Sequence, residues 1–150
     1  MSNNIKRVIN LLIEAICVGT YTTLVYALST SFIHIRNEYS QLLIIGFFKH
    51  FFARFLGIHK AYCEYKRGTN ANPTVAFGRK VGVFKLFQYI FNKKNIVLES
   101  VCEGLVFLLL GLILIRAFNL KAHMLYFCIG FLLHLGAEIA GLHTAFCETY

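Results

Sequence analysis

The sequence predicts an all-α integral membrane protein, four transmembrane helices arranged as two tandem parallel two-helix repeats. Three observations carry that prediction. Only 15% of the 150 residues are charged and 57% are hydrophobic, where a soluble domain carries about 25% charged residues. Four segments reach the length, about 20 mostly apolar residues, that a bilayer crossing requires. The two halves of the chain also repeat one another in their rare polar residues. A soluble bundle with buried helices is the competing reading. Runs such as VFLLLGLILI speak against it, because they are apolar on every face and leave no side for water.

The first segment runs from about Ile9 to Ile33, and its stretch from Ala15 to Ile33 is 19 residues without a charge. The second, Leu42 to Cys63, is interrupted by Lys49, His50 and Arg54. The third, Ile96 to Ile115, has Glu99 and Glu103 near its start, and the fourth, Met124 to Cys147, contains His134, Glu138 and His143. One membrane domain over 1–150 is expected: a first repeat over about 8–65, a basic connection over 66–94, and a second repeat over about 95–150. The end of that connection, VGVFKLFQYIF, is too short to span and is flanked by lysines and arginines. It suits an amphipathic helix in the headgroup region, and equally an irregular loop packed on the helix ends.

Charge sets the expected orientation. Nine basic residues (Lys6, Arg7, Lys66, Arg67, Arg79, Lys80, Lys85, Lys93 and Lys94) lie on the side of the N-terminus and the middle connection, against three (Arg36, Arg116, Lys121) on the other. That bias predicts a multi-pass protein with both termini cytoplasmic; a cellular, organellar or viral membrane would each suit. No small-residue cleavage site follows the first apolar run, so a cleaved signal peptide is not expected.

The repeat is the most specific signal. IGFFKHFFARFLGIHKAYCE from Ile45 and IGFLLHLGAEIAGLHTAFCE from Ile129 are identical at ten of twenty positions. NLLIEAICVG from Asn10 lies over NIVLESVCEG from Asn95, with Asn, Glu, Cys and Gly at the same spacing. Composition alone can align Leu with Leu, but not rare polar residues in order. Two spans per copy give both copies the same orientation, related by a pseudo-twofold axis along the membrane normal.

On continuous helices, positions three, four and seven apart share a face. Ala53, Gly57 and Ala61 then form a small-residue stripe on the second span, and Ala137, Gly141 and Ala145 form its counterpart on the fourth. Such stripes let helices approach closely in lipid, so these two spans are expected to meet on the axis. Beside the stripes His50 and Arg54 match His134 and Glu138. The opposite charges of Arg54 and Glu138 predict a pair across the axis, and the four residues together form an intramembrane polar centre. Helices in such close contact leave no slot for a bis-histidine haem.

The other face gathers Glu14, Cys17, His59 and Cys63 in the first repeat, and Glu99, Cys102, His143 and Cys147 in the second. Each set has three readings: glutamate–histidine bonds that hold helices together, a zinc site made of that metal's usual ligands, or disulfides from Cys17 to Cys63 and from Cys102 to Cys147. A reducing cytosol disfavours the last. Glu103 has Val18 as its counterpart and breaks the symmetry, whereas Cys128, His34 and His123 have no counterpart. Asp is absent, and with it any Ser-His-Asp set; no Gly-rich phosphate loop or zinc-protease motif occurs.

The expected function is that of a non-enzymatic, structural or assembly component of a membrane, without a cofactor. Its expected partners are the lipid bilayer, further copies or other membrane proteins; nucleic acid is not expected. The alternatives are a small proton or metal-ion transporter or channel using the intramembrane His, Glu, Arg and Cys residues, and a membrane redox or metalloprotein, with zinc as the metal.

Overall fold

The computed structural model describes residues 3–68, 95–143 and 147, and among them every regular element is helical. Five helices follow in order: α1 Asn3–Phe32, α2 Glu38–Phe55, α3 Ile58–Gly68, α4 Ile96–Ala117 and α5 Ala122–Ile139. Three of them, α1, α4 and α5, are long and apolar enough to cross a membrane. The pair α2 and α3, bent by 67° at a short break, makes a fourth when taken as one broken span. The chain is thus compatible with a membrane-embedded protein. Large side chains such as Leu28, Leu109, Ile113 and Ile139 lie exposed on the outside of the bundle, where lipid would receive them. The segment VGVFKLFQYIF and Ala145 fall outside the described residues.

Local chemistry sets the helix ends. Asn37 accepts from the backbone N–H groups of Tyr39 and Ser40, and Asn95 from those of Val97 and Leu98, each relieving donors that a helix start leaves unpaired. Asn10, which aligns with Asn95, lies inside the longer α1 and caps nothing. Gly57 and Gly141 end α2 and α5 in the left-handed region, both at φ 71°, a conformation that glycine adopts without a Cβ clash. The same bonds close both ends: Gly57 N–H to Arg54 C=O and Gly141 N–H to Glu138 C=O, each at 3.1 Å.

This corrects the small-residue stripe. Gly57 is a helix terminator, and a Cβ there would meet nothing within 4 Å. Ala61 is exposed, while Ala53 is buried and lines a cavity. The second and fourth spans do not meet along it; the principal packings are α1 against α5 and α2 against α4. The close approaches occur at other glycines. A Cβ on Gly104 would stand 2.8 Å from Leu43 O, and one on Gly46 2.9 Å from Gly104 Cα. On the α1–α5 side, a Cβ on Gly19 would stand 3.0 Å from Phe127 O, and one on Gly130 3.1 Å from Val18 O. Gly19 aligns with Gly104 and Gly46 with Gly130, so the two crossings use matching positions.

The bundle has an apolar end and a polar end. Val25, Leu42, Ile45, Phe107, Leu114, Leu125, Tyr126 and Ile129 form the core, and Tyr26 stacks on Tyr126 with ring centroids 4.2 Å apart. Toward the start of α1 and α4 and the finish of α2 and α5, the contacts become polar.

Candidate functional site: a histidine and glutamate chamber

The two helix breaks build the site. His50 and His59 are nine residues apart, as are His134 and His143, and on a straight helix that spacing puts them about 180° apart. The turn at Gly57 swings His59 back until its ring lies 4.7 Å from that of His50, and the turn at Gly141 leaves the His143 ring 4.8 Å from that of His134. Unbroken helices would put His59 and His143 on a separate face. All four imidazoles instead line one cavity of about 370 Å³, together with Lys49, Tyr62, Glu99, Glu103 and Cys102.

The chamber's carboxylates, Glu99 and Glu103, come from α4, while Glu14 of α1 and Glu138 of α5 stand against its histidines. Glu99, with its side chain only 1% exposed, lies 2.8 Å from Arg54 Nη1 and 3.3 Å from His50 Nε2. Glu103 accepts from Lys49 and lies 2.6 Å from His50 Nδ1. Glu14 is 3.4 Å from His134 Nε2 and 3.4 Å from the Tyr62 hydroxyl. Tyr62 donates to Glu138, whose Oε1 is also 2.9 Å from His143 Nδ1. Glu14 and Glu99 are aligned residues, as are His134 and His50, so each half lends a carboxylate to the other half's histidine.

The acidic groups are met from several elements. Glu99 and Glu103 face Arg54 and Lys49, and Glu14 and Glu138 face imidazoles and the Tyr62 hydroxyl. Among the described residues, Glu99 Oε1 is buried with no hydrogen-bond partner. A low-dielectric interior holds such an atom at a cost that a proton or a cation would relieve.

Several expected arrangements are replaced. The Arg54–Glu138 pair does not form; α2 and α5 are not packed on each other, and Arg54 turns to Glu99 while Glu138 turns to Tyr62 and His143. The Glu14, Cys17, His59, Cys63 quartet does not assemble either. Cys17 is an exposed free thiol, and Cys63 is bonded to Cys147. Cys102 is free, so neither intra-repeat disulfide exists and neither repeat offers a thiolate pair to zinc. The Cys63–Cys147 bridge joins aligned residues 84 positions apart, Cα–Cα 5.3 Å. Lys49 and Tyr62 join the site outside the sets expected from the sequence, where the signal for Lys49 is a lysine inside an apolar span. Comparison with protein-family models, curated proteins and solved structures finds no match.

Proposed function

We propose that the chain is a small membrane carrier of cations, two copies of a broken-span unit closing around one shared chamber. The observation that carries this is the chamber itself, with four imidazoles drawn together by two matching helix breaks. Interrupted helices at corresponding positions of two halves are the sequence mark of a transporter's binding site, and ionisable groups inside a membrane are functional by default. The buried Glu99 Oε1, without a hydrogen-bond partner among the described residues, gives the sign: it favours a cation. In this reading α2–α3 is one broken span, and α5 with the residues beyond Gly141 makes another.

A purely structural role is the second reading, supported by the cross-half bonds Glu14–His134 and Glu99–His50 and by the Cys63–Cys147 bridge. Holding two halves together accounts for the pairs but not for the space. An interface built only to hold packs to the density of an organic crystal, whereas this one leaves a partly open cavity of about 370 Å³ among ionisable groups.

Flux measured in liposomes tests the proposal. Purified protein reconstituted with an internal pH dye or a zinc dye should pass protons or divalent metal faster than protein-free vesicles. Glu103→Gln and His59→Ala should each slow that flux at equal insertion. Parent vesicles no leakier than empty ones, to either cation, would leave the structural reading in its place.

A further inference from the structure

We propose that one divalent transition-metal ion binds between His134, Glu138 and His143, and that the aligned set His50, Arg54 and His59 binds none. This rests on the chamber being a cation site, and it names the class of cation.

Geometry comes first. One ligand atom from each of His134, Glu138 and His143 can be chosen so that all lie within 4.8 Å of one another. Tetrahedral coordination with bonds of about 2.0–2.1 Å sets ligand atoms about 3.4 Å apart. The widest pair therefore closes by about 1.4 Å, a side-chain adjustment, while His143 Nδ1 and Glu138 Oε1 already stand at 2.9 Å. Glu138 lies four residues after His134 on α5, hence on the same face, and the Gly141 turn brings the third ligand round.

Chemistry then selects the ion. Two imidazoles and one carboxylate suit zinc and its first-row neighbours rather than calcium or magnesium, which prefer all-oxygen shells. Three protein ligands leave a coordination position open, as an exchangeable site needs and a closed structural site does not. Tyr62 donates to the Glu138 carboxylate, and Glu14 lies 3.4 Å behind His134 Nε2, the kind of outer partners that orient metal ligands.

The first half shows why the count is one. His50 and His59 are as close as His134 and His143, but the residue in Glu138's place is Arg54, bonded to Glu99. A guanidinium is a permanent cation and never a ligand. It fills the position that the ion takes in the other half.

The test uses the full chain, purified in detergent, stripped with chelator and titrated with Zn²⁺ or Co²⁺. Bound metal per chain and the visible spectrum of the cobalt form are read. About one equivalent is expected, with the intense bands of four-coordinate cobalt. His143→Ala should weaken binding more than about 100-fold, beyond the range of outer-shell changes. Glu138→Gln should do the same while keeping shape and an acceptor for Tyr62, so that lost binding cannot be put down to a lost fold. Arg54→Glu should raise the count toward two. No bound metal, two equivalents in the parent, unchanged affinity in both ligand variants, or a count still at one in Arg54→Glu would each overturn the assignment. Proton flux without metal binding would reject the metal site and keep the carrier. Tight binding without flux of any cation would do the reverse.

Discussion

Enlarging Gly104 and Gly57 one step at a time separates a glycine that packs from a glycine that turns. At Gly104 a Cβ would stand 2.8 Å from Leu43 O and 3.5 Å from Phe47 N, both backbone atoms of α2. Ordinary carbon–oxygen contacts begin near 3.3 Å, so the α2 and α4 backbones must part by about 0.5 Å. No rotamer relieves that clash. Overpacking of this kind costs about 1–3 kcal/mol and opens the crossing on which the Glu99–Arg54 and Glu103–Lys49 pairs depend. The cost should climb from Ala to Val to Leu. At Gly57 nothing lies within 4 Å, and the only cost is the left-handed backbone, about 1–2 kcal/mol for any L side chain, so Ala and Leu should be equivalent. Thermal unfolding in detergent reads both series, at about 2–4 °C per kcal/mol for a chain of this length. A flat series at Gly104 would refute the α2–α4 crossing, and a steep one at Gly57 would restore the stripe that the sequence suggested.

Further predictions follow from the polar end. Glu99→Gln removes the buried anion that Arg54 and His50 share and should lower stability by about 3 kcal/mol in the same melting assay, the range for breaking one side of a buried pair. Glu64→Gln, which removes the largely exposed Lys60–Glu64 pair, should leave the melt within about 0.5 kcal/mol of the parent. Loading with zinc should raise the melting temperature as free metal rises, and chelator should return it; a melt that ignores both would count against the metal site. Cys17→Ser and Cys102→Ser together should leave metal binding unchanged, since those thiols are no part of it; loss of the ion in that pair would move the site to the cysteines.

How much of this the sequence carried depends on the interaction. The all-helical class and the apolar spans were legible because lipid-facing side chains must be apolar at every exposed position, a rule that acts on single segments. The chemistry of the site was half legible. Retention in both copies flagged His50, His134, Glu14, Glu99, His59 and His143 before any geometry was known. Their grouping is not legible for one reason: the spacing of Gly57 and Gly141 fits packing residues on continuous helices as well as it fits helix terminators. In lipid a glycine followed by more apolar residues signals close approach or a terminator equally well, and only the φ of 71° decides between them. The two turns carry His59 and His143 from the far face to within 4.7 Å and 4.8 Å of His50 and His134. The packing glycines were visible in the same alignment as Gly19 over Gly104 and Gly46 over Gly130. Their partners, Phe127, Thr22, Leu43 and Phe107, sit on helices that no local pattern pairs.

The Cys63–Cys147 bridge has a topological consequence that one cut exposes. Each half's first helix packs on the other half's second, α1 on α5 and α4 on α2, so the halves interlock, and the bridge then joins them at aligned residues. A bond between aligned residues is what the expected twofold arrangement would permit, since such an axis would pass midway between the two Cα atoms, 5.3 Å apart. A protease site inserted in 69–94 should therefore divide the chain without dividing the molecule. On a denaturing gel without reductant, the cut protein, alkylated at lysis, should still run near its intact 17.1 kDa; with reductant it should fall into two fragments. In mild detergent the reduced, cut protein should stay associated, because α1–α5 and α2–α4 cross between fragments rather than within them. Fragments that part on the denaturing gel without reductant would mean that Cys63 and Cys147 are thiols in the cell, as expected of an end facing a reducing cytosol. Fragments that part in mild detergent once reduced would mean that each half folds on itself, and the shared chamber would go with them.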